Sequence, residues 1–382
     1  MVATPTAPAS TGRAGAGDGA WLATLAGAPL PSRRQEDWRF TDLKALMAIE
    51  PQMITPADPL AAVDLPAGLE RLSSSSAAPW LGQALAATAS AEHWPVLLNS
   101  GASAAQACPL LALRVFGAAG SLDLHLDAGS TAGLATFRLL LVLEPGSSLE
   151  LLLRPSSSGP NALSLVSEVI LAPGAELKLG SLALGTEESC LFQHTAVVQA
   201  AGSRLDHTAV AGGWGLARLE PRILQRDGQA FSRLRGLQVC RGAELADTHT
   251  WVRFDGPEGE LDQLHKAVAD DQARSVFNGA VRVPRAAQRT NAAQLSRSLL
   301  LSDRARIDTK PELEIVADDV KCAHGATVSR LQSEELFYLR SRGIASDQAA
   351  QLLQRAFCEE VLRDLPAAAA SHGPLLTLLG RA

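Results

Sequence analysis

Residues 317 to 331, ADDVKCAHGATVSRL, place a thiol and an imidazole two positions apart, among acids, small residues and a turn glycine. If VKCAH is extended, Val320, Cys322 and His324 share one face, and sulfur and imidazole stand side by side. Three chemistries could use such a pair. A Cys–His nucleophile needs an orienting group and an oxyanion site, and a thiol on a strand with no helix N-terminus behind it is poorly activated. A zinc site needs four ligands and finds two. An iron or iron–sulfur site accepts both side chains and also finds two. Two ligands from one chain make half a site, to be completed by a second chain or by transient ligands. On spacing alone the commoner arrangement is plainer: a small buried thiol beside a hydrogen-bonded histidine.

Other constellations are weaker. Asp123, His125 and Asp127 alternate along one run and could face one way as ligands, but a strand with one wet face produces the same alternation, and that is the reading adopted. Asp247 and His249 are read the same way. The chain has no Gly-x-x-x-x-Gly-Lys-Ser/Thr loop, so it is expected to bind no nucleotide, and any ATP used nearby falls to another subunit. The glycines of GRAGAGDG open no βα unit. Neither a Gly-x-Ser-x-Gly elbow nor HExxH occurs.

The chain has 382 residues, 47% hydrophobic and 19% charged, long enough for two or three domains. A net charge of −6 without any basic run argues against nucleic acid as a partner. The longest apolar runs, such as LLLVL at 139 to 143, are far short of a spanning helix, so no membrane segment is expected. The first nineteen residues read as a loose tail, with a short plastid transit peptide as the rival. Five cysteines, Cys108, Cys190, Cys240, Cys322 and Cys358, stand far apart with no CxxC pair, which predicts reduced thiols in a cytoplasmic protein rather than a disulfide framework.

These residues must be held by three kinds of chain. From 20 to 108 apolar residues cluster at helical spacing around Trp21, Leu22 and Leu25, then Trp38, Leu43 and Leu46, with breaks such as LERLSSSSAAPW; this predicts short helices and linkers. From 109 to 332 nearly every run is of β type, from LLALRVF to ELEIV, each bounded by Gly, Pro, Ser or Asp. From 333 to 382 the period is helical. Ser333 is expected to cap EELFYLRSR, with Glu334 and Glu335 in the first turn, Arg340 and Arg342 in the last and Gly343 beyond it. A second helix from Ser346 carries Ala349, Leu352, Leu353, Ala356, Phe357 and Val361 on one stripe.

A repeat runs through the β region. Gly-x-x-hydrophobic occurs at Gly146, Gly174, Gly202, Gly228 and Gly242, in steps of 28, 28, 26 and 14 residues. A fixed period of one unit, or half of one, favours a β-solenoid over an antiparallel sandwich.

With those features in view, the stretch from SLLLSDRARIDTK to AFCEEVL resembles the C-terminal core of the SufB/SufD family of the SUF iron–sulfur cluster assembly system. KCAHGATVSRL carries Cys-x-His-Gly and is similar to the SufD branch rather than to SufB. PSRRQEDWRFTDL (31 to 43) and LHKAVADDQARSVFNGAVRV (264 to 283) are also similar to that branch, and Ser298 departs from it where an Asn is common. The resemblance implies a right-handed parallel β-helix between an N-terminal and a C-terminal helical domain. It implies a scaffold subunit, not an enzyme, that pairs with SufB through the helix ends and assembles nascent clusters there, driven by the SufC ATPase. It further implies that His324, and less firmly Cys322, hold iron or a transient cluster shared with SufB. SufC would dock on Leu336, Phe337, Tyr338, Arg340, Arg342 and Phe357. A reduced flavin is expected in the complex, and a homodimer where SufB is absent. The alternatives from outside the family are a β-helix carbohydrate-active enzyme, which the 4% aromatic content does not favour, and a purely structural docking protein.

Overall fold

Three corner glycines explain the period. In the computed structural model, which describes residues 19–61, 63–105 and 110–379, Gly146, Gly174 and Gly202 have φ of 67°, 69° and 65°. Each precedes a strand, Ser148–Ser156, Glu176–Leu184 and Arg204–Gly212. These strands pair in parallel with Leu149, Leu177 and Leu205 in register. One 28-residue step is therefore one coil of a solenoid, and a coil contains two strands, one in each of two facing sheets. Gly242 leads into Leu245–Phe254 of the other sheet, which accounts for its half step.

Gly228 matches the motif but not the register. Leu205 pairs with Ser232, so the residue equivalent to Gly202 is Gln229. The same column continues through Glu258 and Arg289, and all three lie in the left-handed region at φ 53°, 59° and 60°. Each costs about 1–2 kcal/mol relative to glycine, which the stacked coil must outweigh. Gly228 is needed for another reason: a Cβ there would lie 2.3 Å from the Pro257 carbonyl oxygen.

One sheet holds eight strands, from Ala118–Asp127 to Lys321–Ser329; the other runs from Arg306–Ile315 back to Leu110–Val115. The parallel solenoid, not the sandwich, is the fold. Its interior changes along the axis. The early coils are packed with leucine, including Leu124, Leu151, Leu163 and Leu165. The later ones carry hydrogen-bonded amides and hydroxyls: Gln225 Nε2 donates to Ser232 Oγ at 2.8 Å, Gln238 Nε2 to Thr248 Oγ1 at 2.8 Å, and Gln263 Nε2 to Thr250 Oγ1 at 2.7 Å.

The ends are finished unequally. Leu60 and Leu69 join the interior at the first coil, with Val63 and Leu65 packed against it. The strand Leu69–Arg71 pairs antiparallel with Leu110–Val115 and uses up that edge. At the last coil, Arg306–Ile315 and Lys321–Ser329 each pair on one side only.

Helices cover both outer faces. Trp38, Leu43 and Leu46 of the N-terminal segment pack with the helix Trp94–Ala105 onto Phe192 and Leu216. Trp94 meets Trp38 and Phe192 edge-on, with ring centres 6.1 and 5.9 Å away. The Ser-rich break contains a one-turn helix, Ser74–Ala77, capped by Ser73. On the opposite face the helix Ser346–Leu362 lies on the strands Arg204–Gly212, Phe231–Cys240 and Glu260–Ala269 through Cys358, Val361 and Leu362. Its expected stripe splits, since Ala349 and Val361 are buried while Leu352 is 46% exposed. The shorter helix Ser333–Ser341 is preceded by Gln332 as N-cap, with no side-chain cap bond, so Ser333 begins the helix instead of capping it. Gly343 takes the left-handed turn beyond the last residues, φ 85°, as expected. Cys108 and residues 1–18 of the expected tail lie outside the described residues. Cys190, Cys240, Cys322 and Cys358 are free thiols.

Candidate functional site at the open rim

Lys321–Ser329 is the outermost strand of its sheet, and it carries the thiol and the imidazole. Cys322 pairs with Ala292 and His324 with Gln294 of the preceding coil. Ala292 and Gln294 are both buried, so the two side chains of the last strand continue interior columns at the point where no further coil covers them. Cys322 is half-buried and packs with Val320 against the core. His324 is exposed and makes no hydrogen bond or ion pair among the described residues. The plain arrangement of a buried thiol beside a bonded histidine is therefore not what forms. Burial pushes the Cys322 thiol up, against a smaller opposing pull from the Ala292 backbone bond, so the protonated thiol is no ready nucleophile. It would lose its proton on binding a metal.

Below the pair the polar interior is continuous. Gln294 Nε2 donates to Gln263 Oε1 at 3.0 Å, and Gln263 passes the chain to Thr250. Around the pair the rim is apolar as well as unpaired: Ile315 is 41%, Val316 51% and Val328 48% exposed. An exposed strand edge with apolar side chains is a template for pairing with another chain.

The residues expected to meet an ATPase partner divide. Phe337 and Tyr338 are exposed at 71% and 58%, Arg340 and Arg342 are exposed, and Leu336 is half-buried. Phe357 instead faces the solenoid, where Lys266 Nζ sits 4.2 Å from its ring centre and donates to its carbonyl oxygen at 2.8 Å. Asp123, His125 and Asp127 form the wet face expected of them. Arg154 Nε donates to Asp123 at 2.7 Å, while His125 and Asp127 share Ser156 Oγ at 2.8 and 2.9 Å.

Asp247 and His249 overturn the same expectation. Asp247 is fully buried and bonds Arg218 Nη1 at 2.6 Å, Thr41 Oγ1, and His249 Nε2 at 2.9 Å. Alternation identified the face, but the N-terminal segment covers it: Trp38 stacks on Arg218 at 3.9 Å and Asp37 O accepts from Arg218 Nη1 at 2.9 Å. Burial would raise the Asp247 carboxyl; His249, Arg218 and Thr41 together hold it below the usual range. The next link is Glu220, which accepts from Arg218 Nε at 2.6 Å and meets His93 and His194. The sequence reading found none of these three. One signal was present, because His194 and Glu220 stand one coil apart in register.

Comparison with known proteins identifies the family. Residues 126–357 match the family described as SUF system FeS cluster assembly, SufBD core domain. An iron–sulfur cluster assembly SufBD family protein of Synechocystis is 41% identical over 205 residues, 54% of this chain and 45% of the relative. The chloroplastic protein ABCI7 of Arabidopsis thaliana is 39% identical over 202 residues, 53% of this chain and 42% of its own. The iron–sulfur cluster assembly protein SufD of Escherichia coli is 36% identical over 196 residues, 51% and 46%. The matches span under half the length of these relatives. Among the described residues no helix is long and apolar enough to cross a membrane.

Proposed function

The chain belongs to the SufBD core family of the SUF iron–sulfur cluster assembly system and is SufD-like within it; from that premise we propose that it is a scaffold subunit whose open rim pairs with SufB. The observation that carries this reading is the placement of Cys322 and His324 on the last strand, at an unpaired apolar edge. Two ligands on a surface meant to be covered are half of a site, and the covering chain supplies the rest. Iron and sulfide are cargo there. His324, exposed and unbonded, is the first to reach an incoming ion; Cys322 follows once metal binding draws off its proton.

The same reading gives SufC the helix Ser333–Ser341, through Phe337 and Tyr338 with Leu336, Arg340 and Arg342 around them. Phe357 contributes by fixing the second helix to the solenoid. Cycles of ATP hydrolysis in SufC would then bias the rim between covered and uncovered states. The reduced flavin expected of the complex is assigned to no residue of this chain. In the absence of SufB, a second copy of the chain takes the free edges. The setting is cytoplasmic.

His324→Ala in a co-purified complex with SufB and SufC tests the proposal by anaerobic reconstitution with iron and sulfide. Cluster yield is expected to fall at least several-fold while the complex elutes intact. An unchanged yield would overturn the assignment.

A further inference from the structure

A second set of donor atoms lies far from the rim, on the outer face of the other sheet beneath the N-terminal helices. His194 and Glu220 are direct partners in the parallel pair Cys190–Gln199 and Leu216–Gln225. His93 comes from the turn that opens the helix Trp94–Ala105, where its carbonyl accepts from Val96 and Leu97 at 2.9 and 3.0 Å. Both imidazoles aim Nδ1 at one carboxylate oxygen: Glu220 Oε2 lies 3.2 Å from His93 and 3.0 Å from His194. All three donor atoms fall within 4.8 Å of one another.

Those spacings suit a shared ion. Metal bonds near 2.1 Å at tetrahedral angles put neighbouring donor atoms about 3.4 Å apart and two imidazole centres about 5 Å apart. The centres of His93 and His194 are 5.5 Å apart with planes inclined by 64°, converging instead of stacking.

Arg218 is shared between Glu220 and Asp247, both at 2.6 Å, and Arg222, which donates to the Thr88 carbonyl oxygen at 3.0 Å, brings a second guanidinium charge to Glu220. A cleft of about 440 Å³, lined by His93 and Glu220 together with Gln35, Asp37 and Glu92, leaves space for water at a remaining coordination position. Two histidines and one carboxylate are the donor set of open zinc sites and of non-haem ferrous sites.

We propose that His93, His194 and Glu220 bind one divalent first-row transition ion of the zinc or ferrous type, which fastens the N-terminal helices to the solenoid. This does not rest on the rim reading, and the test is built to keep the two apart.

The full chain carrying Cys322→Ala and His324→Ala, stripped with chelator, is titrated with Co²⁺ followed by visible absorbance and with Zn²⁺ by calorimetry. One ion per chain is expected, with ligand-field bands free of thiolate charge transfer and a melting temperature raised by several degrees. Adding His93→Ala should weaken binding at least 100-fold and abolish the thermal shift. His93→Gln, which keeps bulk and hydrogen bonding, should do the same with an unchanged metal-free melting curve. Absence of stoichiometric binding, thiolate bands, or equal affinity in the folded His93→Gln chain would overturn the proposal.

Discussion

At its first coil the solenoid's interior and one of its two sheet edges are covered by its own chain, whereas at its last both edges are bare. Leu60 and Leu69 are each only 7% exposed and sit on the leucine interior, and an antiparallel strand consumes the neighbouring edge. At the far end Val328, on a strand paired along one side, and Val316, just past the end of the other last strand, are about half exposed. Stacking generates both ends by the same forces, since each coil buries its faces only against the next. The contrast sets a covered end against an open one: the first coil's interior is packed by the chain itself, and the last carries a thiol and an imidazole on an unpaired strand. The interior changes in step, from leucine near the cap to bonded amides below the rim.

Acid gives the largest test of that contrast, because it asks whether the interior stays dry up to the open end. Burial pushes the His207 imidazole down to about 4 and the His265 imidazole down to about 3. Between those values and about 6.5, the unfolded chain binds protons that the folded chain refuses, so stability falls as pH falls. With both histidines inside, unfolding free energy should drop by about 2–3 kcal/mol per pH unit between roughly pH 6 and 5. Urea titrations at several pH values measure it, and His265→Leu should halve the slope. An unchanged slope would mean that water reaches His265 from the rim.

Substitution then compares the ends directly. Leu69→Ala removes packing at the closed end and should cost about 2–5 kcal/mol in urea denaturation. Val328→Asp at the open end should leave stability within about 0.5 kcal/mol while weakening association with SufB by an order of magnitude or more, read by co-elution or calorimetry. Equal losses of stability at the two positions would erase the distinction.

Much of this was legible in residue order. Gly146, Gly174 and Gly202 sit at equivalent corners and fix a coil length, and the pair at 322 and 324 falls in the last β-type run before a helical period. The register beyond Gly202 was hidden, because Gln229, Glu258 and Arg289 occupy the left-handed corner without looking like turn residues. Asp247 and His249 show the limit of alternation: it tells which side chains share a face and nothing of what lies on that face. The cover at the first coil was unreadable for a related reason, since residues 55–61 and 63–68 form no helix or strand, and Leu60, Val63 and Leu65 are recognisable only by the interior they pack against. His93 had no partner within reach of any local pattern; contact with Glu220 spans 127 positions.

Vectorial synthesis gives the bare rim a further meaning. Coils that stack on their predecessors can assemble while the ribosome is still adding residues, each on a template already standing. The thiol and imidazole emerge with the final strand, so the pair comes into existence only after the body that carries it has been built.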